Sequence, residues 1–302
     1  MSLIVLTGAS GYISQNLTQF FNKKSKKNKA ISLRFQNWHK MMPSETDTII
    51  HLAAIKNSTF ENAYDEDYFR VNTELTSKLF RYFLNSNAST FIFLSTTELV
   101  DKRINLVTET SNVCLSNPFL KSKFEAEQFI TNQNLPPGKR AIILRLAPVY
   151  GRETVSSLYQ KFSYCKKRPW FFGMFNTKYS YCNIDNVIEI IQQIIDSPTF
   201  SSGIYNVADD EPIDSIEFVN WTTEIIEKKV RIYSIPPVIL NFIAKIGTLF
   251  NWEFNKQKLY DESHSRIVNC EKIKKELNCN HMPFDTKLSI FKTLEYYNSI
   301  KI

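Results

Sequence analysis

Apolar positions along this chain recur with two alternating periods. Leu3 to Leu6 is a continuous apolar run ending at Thr7-Gly8, the pattern of a strand buried on both faces. Beyond Gly11, Ile13, Leu17, Phe20 and Phe21 recur at helical spacing over Tyr12 to Asn22. Ala30 to Phe35 reads as a second strand and Thr48 to Leu52 as a third. A long amphipathic helix follows over Tyr68 to Leu84, carrying Phe69, Leu75, Leu79, Phe80 and Phe83. Phe91 to Leu94 is a strand that stops at Ser95-Thr96-Thr97. A helix then begins near Pro118 and runs to Thr131, and Ala141 to Leu146 is the next strand. Strands alternating with helices predict an α/β fold, a doubly wound parallel sheet covered on both faces. From Tyr150 onward the pattern turns irregular and aromatic-rich, with helices near Asn186–Asp196, Ser215–Lys228 and Pro237–Phe250. These predict a smaller second lobe. No Pro/Gly/Ser linker separates the two, so they are expected to share a cleft.

Composition narrows the class. With 302 residues, 43% of them hydrophobic and 22% charged, the chain can bury a full core and is not of the disordered type. The net charge of +7, much of it in Lys23, Lys24, Lys26, Lys27 and Lys29, favours an anionic partner: nucleic acid, a lipid surface or a phosphate-bearing ligand. No aromatic–basic motif accompanies the lysines, so nucleic acid is not expected. Cys114, Cys165, Cys182, Cys270 and Cys279 are scattered, without Cys-x-x-Cys pairs or nearby His, which predicts neither a zinc site nor a disulfide framework and fits a cytoplasmic protein. Ile239, Phe242, Ile243, Ile246, Leu249 and Phe250 share one helix face, read here as packing against the second lobe, with contact to a membrane as the alternative.

The segment Thr7-Gly8-Ala9-Ser10-Gly11-Tyr12-Ile13-Ser14 joins the first strand to the first helix. Gly8 permits a tight turn, and Gly11 lets the backbone approach a pyrophosphate at the positive helix N-terminus. Gly8, Ser10, Gly11, Tyr12 and Ile13 are therefore candidate dinucleotide contacts. Ser14 stands where a third glycine would complete the fingerprint. An acidic residue ending the second strand would select NAD, but Ser32-Leu33-Arg34-Phe35 has none. Arg34 could pair with the extra phosphate of NADP or stand as an ordinary surface cation, so the expected cofactor is NADP or NAD, with a slight lean to NADP.

Further motifs follow in order: Asp47-Thr48-Ile49-Ile50-His51-Leu52-Ala53-Ala54, Asn72, Ser95-Thr96-Thr97, Ser122-Lys123-x-x-x-Glu127, Leu144-Arg145-Leu146-x-Pro148-Val149-Tyr150-Gly151 and Asp185-Asn186-Val187. In type, order and spacing the chain resembles the extended short-chain dehydrogenases/reductases. Ala53-Ala54-Ile55-Lys56, Pro169 to Val187 and Ile267-Val268-Asn269-x-x-Lys272-Ile273 are similar to the nucleotide-sugar 4-epimerases and 4-ketoreductases among them. The resemblance implies a Rossmann domain over 1–150 and a substrate lobe over 151–302, with about 180–208 returning to the first domain. It adds Leu52, Ala53, Ala54, Lys56, Asn72, Lys123 and Pro148 to the cofactor contacts. It also implies a nucleotide-sugar substrate, a role in bacterial surface polysaccharide synthesis and a homodimer.

Family chemistry uses a Tyr as proton donor, a Lys four residues later that binds the nicotinamide ribose and lowers the Tyr pKa, and a Ser or Thr hydroxyl on the substrate oxygen. Thr96 and Lys123 match two of these positions. The Tyr position is Phe119. Three outcomes stay open: a substitute donor such as Thr96, Thr97, Lys121 or water; a step needing only hydride transfer; or binding without catalysis. On the substrate side the resemblance points to Thr97, to Lys178 (next to Tyr179 at the family's Arg position) and to Arg266. Trp170, Phe171 and Phe172 could stack on a base or pack in the core. His51 is expected to be a packed residue rather than a base.

Overall fold

A computed structural model describes residues 3–55, 64–154, 156–168, 170–173, 177–234 and 264–300, with 239, 245 and 246 besides. The central sheet comprises β1 (Leu3–Thr7), β2 (Asn28–Ile31), β3 (Thr46–His51), β4 (Thr90–Thr96), β6 (Arg140–Leu146) and β11 (Gly203–Val207), β5 being the short strand Leu106–Val107. Their order is β2-β1-β3-β4-β6-β11, and every pairing is parallel. The chain leaves β1 to one side for β2 and returns to β1's other side for β3. A crevice therefore opens between the carboxyl ends of β1 and β3, where such sheets bind ligands.

The period of two along each strand sorts the core into two layers. Ile4, Leu6, Ile50, Leu94 and Leu144 point to one face, against Leu17 and Phe21 of α1 (Tyr12–Lys23) and the isoleucines of α6 (Ile184–Asp196). Val5, Ile49, Phe91, Phe93 and Ile143 point to the other, against Leu79, Phe80 and Phe83 of α3 (Leu75–Asn85) and Ala126 and Ile130 of α4 (Pro118–Thr131).

Two elements depart from the expected pattern. The second strand covers Asn28–Ile31 rather than Ala30 to Phe35. It pairs only with β1, from Ile4↔Asn28 to Thr7↔Ile31. Because β1 ends where the Gly8 turn begins, β2 has no partner beyond Ile31, and Arg34 and Phe35 lie exposed in the following loop. The long helix begins at Asp65, not Tyr68, and is not uniform: α2 (Asp65–Tyr68) passes through a π-helical stretch (Phe69–Glu74) into α3. Such stretches insert a residue and re-aim side chains.

Beyond Tyr150, β7 (Val149–Tyr150), α5 (Ser157–Lys167), β8 (Trp170–Gly173), β9 (Lys178–Tyr179) and β10 (Cys182–Asn183) precede α6. β11 then pairs with β6 in the main sheet. After β12 (Ile213–Asp214) come α7 (Ser215–Ile226), β13 (Arg231–Ser234), β14 (Ile267–Val268), α8 (Glu271–Glu276) and α9 (Thr286–Ser299). A third core cluster joins α5, α7 and α9 through Phe162, Phe218, Leu294 and Tyr297, with Tyr150 at its edge. Among the described residues no helix is long and apolar enough to cross a membrane. Of the expected helix Pro237–Phe250 only 239, 245 and 246 are among the described residues, and Lys56 lies outside them.

Candidate functional site

The phosphate turn closes through Gly11 N–H donating to the Gly8 carbonyl at 2.9 Å. Gly8 has φ +77°, and a Cβ there would lie 2.7 Å from the Ala53 nitrogen. The turn thus touches the end of β3 backbone to backbone, which only glycine allows. Gly11 is the N-cap of α1 and supplies no side-chain cap. The first N–H groups of the helix stay open toward the crevice, as an anion needs. Ser10 is exposed beside them, and Ile13 is half-buried. Tyr12 Oη and Ser14 Oγ are buried without hydrogen-bond partners among the described residues. A Cβ at Gly151 would stand 2.6 Å from Tyr12 Oη, so this ring joins the first helix to the chain just after β7.

Beneath the turn lies a chain of hydrogen bonds whose polarity is fixed. His51 is fully buried, 2.6 Å from Thr7 Oγ1 through Nδ1 and 2.8 Å from Thr76 Oγ1 through Nε2. Thr76 spends its proton on the Asn72 carbonyl at 2.7 Å and so accepts from His51 Nε2–H. Nδ1 must then accept from Thr7 Oγ1–H, while that oxygen receives Leu52 N–H at 3.3 Å. Burial, with the Lys123 charge behind it, lowers the His51 pKa to about 3, which keeps the ring neutral. His51 is therefore the hub between strand β1 and the π-helical stretch.

Asn72, in that stretch, continues the network. Its side chain accepts from Ile55 N–H at 2.8 Å, donates to the Ile55 carbonyl at 3.1 Å and donates to Ser122 Oγ at 3.0 Å. It clamps the Leu52–Ile55 segment, where Leu52 and Ala53 are half-buried and Ala54 is exposed, onto α4. Ser122 in turn donates to the Phe119 carbonyl at 2.8 Å.

On α4, Lys123 is buried and its Nζ donates to the Leu94 carbonyl of β4 at 2.6 Å, 4.0 Å from the Phe93 ring centroid. Burial lowers its pKa to about 7, against the opposing pull of the Glu127 carboxylate one turn on. Glu127 forks onto Arg145 of β6, with Nη2 to Oε2 at 2.6 Å, and both side chains are essentially inaccessible. Thr96, half-buried at the end of β4, accepts Glu98 N–H at 3.1 Å. Thr97 is buried and donates to the Leu146 carbonyl at 3.3 Å, so its hydroxyl is committed within the sheet. Phe119, 8% exposed, packs with Tyr68, Leu99 and Leu120. Tyr68 brings a phenol into that cluster, a residue the sequence pattern showed only as a helix position. Lys121 stands exposed on α4, its Nζ over the Phe69 ring.

Lys178 and Arg266 come together. Arg266 N–H donates to the Lys178 carbonyl at 2.7 Å, and the Arg266 guanidinium donates to the carbonyls of Thr97 at 2.6 Å and Val100 at 3.0 Å. Arg266 thus holds the loop after β4, while the Lys178 side chain is exposed next to it. Pro148 is half-buried after β6, and its carbonyl accepts Cys182 N–H at 3.1 Å. Trp170 is 41% exposed, whereas Phe171 packs against Tyr164. Behind the cleft, Asp209 at the end of β11 accepts from Tyr150 Oη at 2.7 Å, Asn183 N–H at 2.8 Å and Asn186 Nδ2 at 2.8 Å. Burial raises its pKa to about 6. All five cysteines are free, and no acidic, His or Cys group among the described residues could hold a metal.

Residues 4–208 match the model of the NAD dependent epimerase/dehydratase family. The chain is 25% identical to the UDP-glucose 4-epimerase of Vibrio cholerae over 253 residues, 74% of this chain and 76% of that protein. Its fold is that of UDP-N-acetylglucosamine 4-epimerase from Bacillus cereus, at TM-score 0.74 and 15% identity, covering 99% of this chain and 98% of that one. It is equally similar to the dTDP-4-dehydrorhamnose reductase of Bacillus anthracis, solved with NADP, at TM-score 0.73 and 15% identity over 98% of each chain.

Proposed function

This chain belongs to the NAD dependent epimerase/dehydratase family, and from that premise we propose that it is an NAD(P)-dependent nucleotide-sugar 4-ketoreductase or 4-epimerase with an atypical proton-transfer site, acting in surface polysaccharide synthesis. One observation carries the reading: the Gly8–Gly11 turn, the Leu52–Ile55 segment, Thr96 and Lys123 converge on the carboxyl ends of β1, β3 and β4. The open first turn of α1 fits a pyrophosphate, and the absence of a Cβ at Gly8 lets the turn pack on the Ala53 backbone. A bound nicotinamide supplies the hydride donor or acceptor.

The chain's own residues do the rest. Lys123 is placed to hold the nicotinamide ribose on leaving the Leu94 carbonyl, and Thr96 to hold the sugar oxygen. Exposed Arg34, with no carboxylate at the end of β2, favours the 2′-phosphate of NADP. Lys178 supplies a cation for the sugar diphosphate, and Arg266 fixes the β4 loop beside it. Phe119 carries no proton, so Thr96, Tyr68 or solvent must serve the oxygen at sugar C4.

A second reading rests on the packing of Phe119 in an apolar cluster, which favours a relative that binds dinucleotide or nucleotide sugar without turning it over. One experiment separates them. NADPH and NADH are titrated separately into the protein while cofactor fluorescence is followed, and a UDP-4-keto-6-deoxy-N-acetylhexosamine is then added. Enhancement followed by steady decay is the expected result and identifies a reductase. Enhancement without decay restricts the protein to epimerase or binding roles, and no enhancement with either cofactor overturns the proposal.

A further inference from the structure

Charge is distributed very unevenly along this chain. Between residues 22 and 45 stand Lys23, Lys24, Lys26, Lys27, Lys29, Arg34 and Lys40 against a single carboxylate, Glu45. That stretch holds a net +6 of the chain's +7. The fold gathers most of it at one place. Leu3, Asn28 and Thr46 begin β1, β2 and β3 side by side, and α1 delivers Lys23 to the same end of the sheet.

There an open groove of about 560 Å³ is lined by Lys27, Lys29 and Lys40 against one carboxylate residue, Glu45, together with Leu3, Met41 and Met42. Lys23, Lys24, Lys27, Lys29 and Lys40 are exposed. Of the six lysines only Lys26 is paired with a carboxylate among the described residues, Asp196 at 2.6 Å. Lys29 donates to the Met41 carbonyl, which brings the loop before β3 onto the edge strand. Met41 remains 39% exposed among these cations. The groove lies at the opposite end of β1 from Gly8, about 16 Å away at 3.3 Å per residue.

Ordinary roles account for part of this. A lysine on an edge strand discourages sheet extension, and a cation in the last turn of α1 suits the helix dipole. Each needs one or two charges, not six lysines on three consecutive segments. We propose that this end of the sheet is a peripheral docking surface for anionic lipid headgroups. Lysines are compact point charges suited to a diffuse anionic layer rather than to forked recognition of single phosphates. An exposed Met beside buried Leu3 and Met42 offers the apolar contact of an interfacial site. A nucleic acid is a poorer fit, because Trp38 is buried and the one exposed ring beside the groove in sequence is the small His39 imidazole, which offers little stacking surface. Docking here leaves the dinucleotide crevice facing away from the bilayer, so the inference stands apart from the proposed activity.

The test is cosedimentation of the full chain with vesicles of phosphatidylcholine alone or with about one-third phosphatidylglycerol. Binding is expected to the anionic vesicles only, and to disappear at high salt. K27E/K29E/K40E is expected to bind at least about 100-fold more weakly, since each lysine near such a surface is worth about five-fold. K23E/K24E, on the exposed end of α1, provides an independent reduction should the first variant fail to fold, with far-ultraviolet circular dichroism as the check on folding. Equal binding by both folded variants, no binding to anionic vesicles, or preferential capture by heparin or RNA that excludes vesicles would each overturn the proposal.

Discussion

Phe119 and Lys123 sit one helical turn apart on α4, and the difference between them concentrates the chemical question. Lys123 is buried against β4, whereas Phe119, which the proposed function puts at the position of a proton-donating phenol, is packed on Tyr68 and Leu99. Phe119→Tyr is expected to raise the rate of cofactor oxidation by about 10²-fold or more, the usual contribution of a positioned general acid. An unchanged rate would mean that another group already delivers the proton, and Tyr68→Phe and Thr96→Val would then identify it by loss of turnover. Arg34 poses a simpler question. Arg34→Ala is expected to weaken NADPH about ten-fold while leaving NADH unaltered, because it removes one charge-assisted contact to the 2′-phosphate. Isothermal titration with both cofactors reads this, and equal losses would assign Arg34 to the surface.

Two buried connections hold the elements that form the site. The first runs Leu52–Thr7–His51–Thr76–Asn72–Ser122 and ties β1, the π-helical stretch and α4 together. His51→Leu removes one buried hydrogen bond from each of two threonine hydroxyls, leaving the Thr7 proton without an acceptor while Thr76 still donates to Asn72, an expected loss of about 1–3 kcal/mol in unfolding free energy. The second is the Glu127–Arg145 fork between α4 and β6. Glu127→Leu strands a buried guanidinium and is expected to cost about 3–5 kcal/mol, while adding Arg145→Met should recover most of it. Denaturant melts of the single and double variants test this, and an additive double variant would show that the two groups do not act as a pair.

For the whole molecule, buried bases set how stability responds to pH. The Lys123 pKa falls from 10.5 in the open chain to about 7 when folded. Between these values the unfolded chain binds more protons, so this group's contribution to stability rises with pH across the window and is lost as pH falls toward 7. The slope is at most about 1.4 kcal/mol per pH unit. His51 acts in the same direction between pH 6.5 and about 3. Asp209, raised to about 6, acts in the opposite one, favouring the folded state as pH falls through that value. Lys123→Met should therefore gain in melting temperature relative to the parent as pH is lowered from 10 to 7. A difference that does not change with pH would show that Lys123 keeps its charge without penalty in the folded chain.

The local patterns that sequence carries are those each segment satisfies alone. Runs of two-period and 3.6-period apolar residues located the strands and helices of the sheet, and the Gly8–Gly11 spacing located the turn, because backbone geometry there leaves no other residue a choice. Phe119 was read in the same way, as a residue type four positions before Lys123. Where partners decide, sequence was silent. β2 stops at Ile31 because β1 ends opposite it, and the helix over Asp65–Asn85 opens into a π stretch where Asn72 meets Ile55 and Ser122. Tertiary structure alone turned Thr97 into the sheet, placed Arg266 on the β4 carbonyls, and joined Tyr150 to Asp209 and Glu127 to Arg145. These depend on groups 18 to 169 residues apart, whose desolvation and hydrogen bonding exist only once the chain has closed around them.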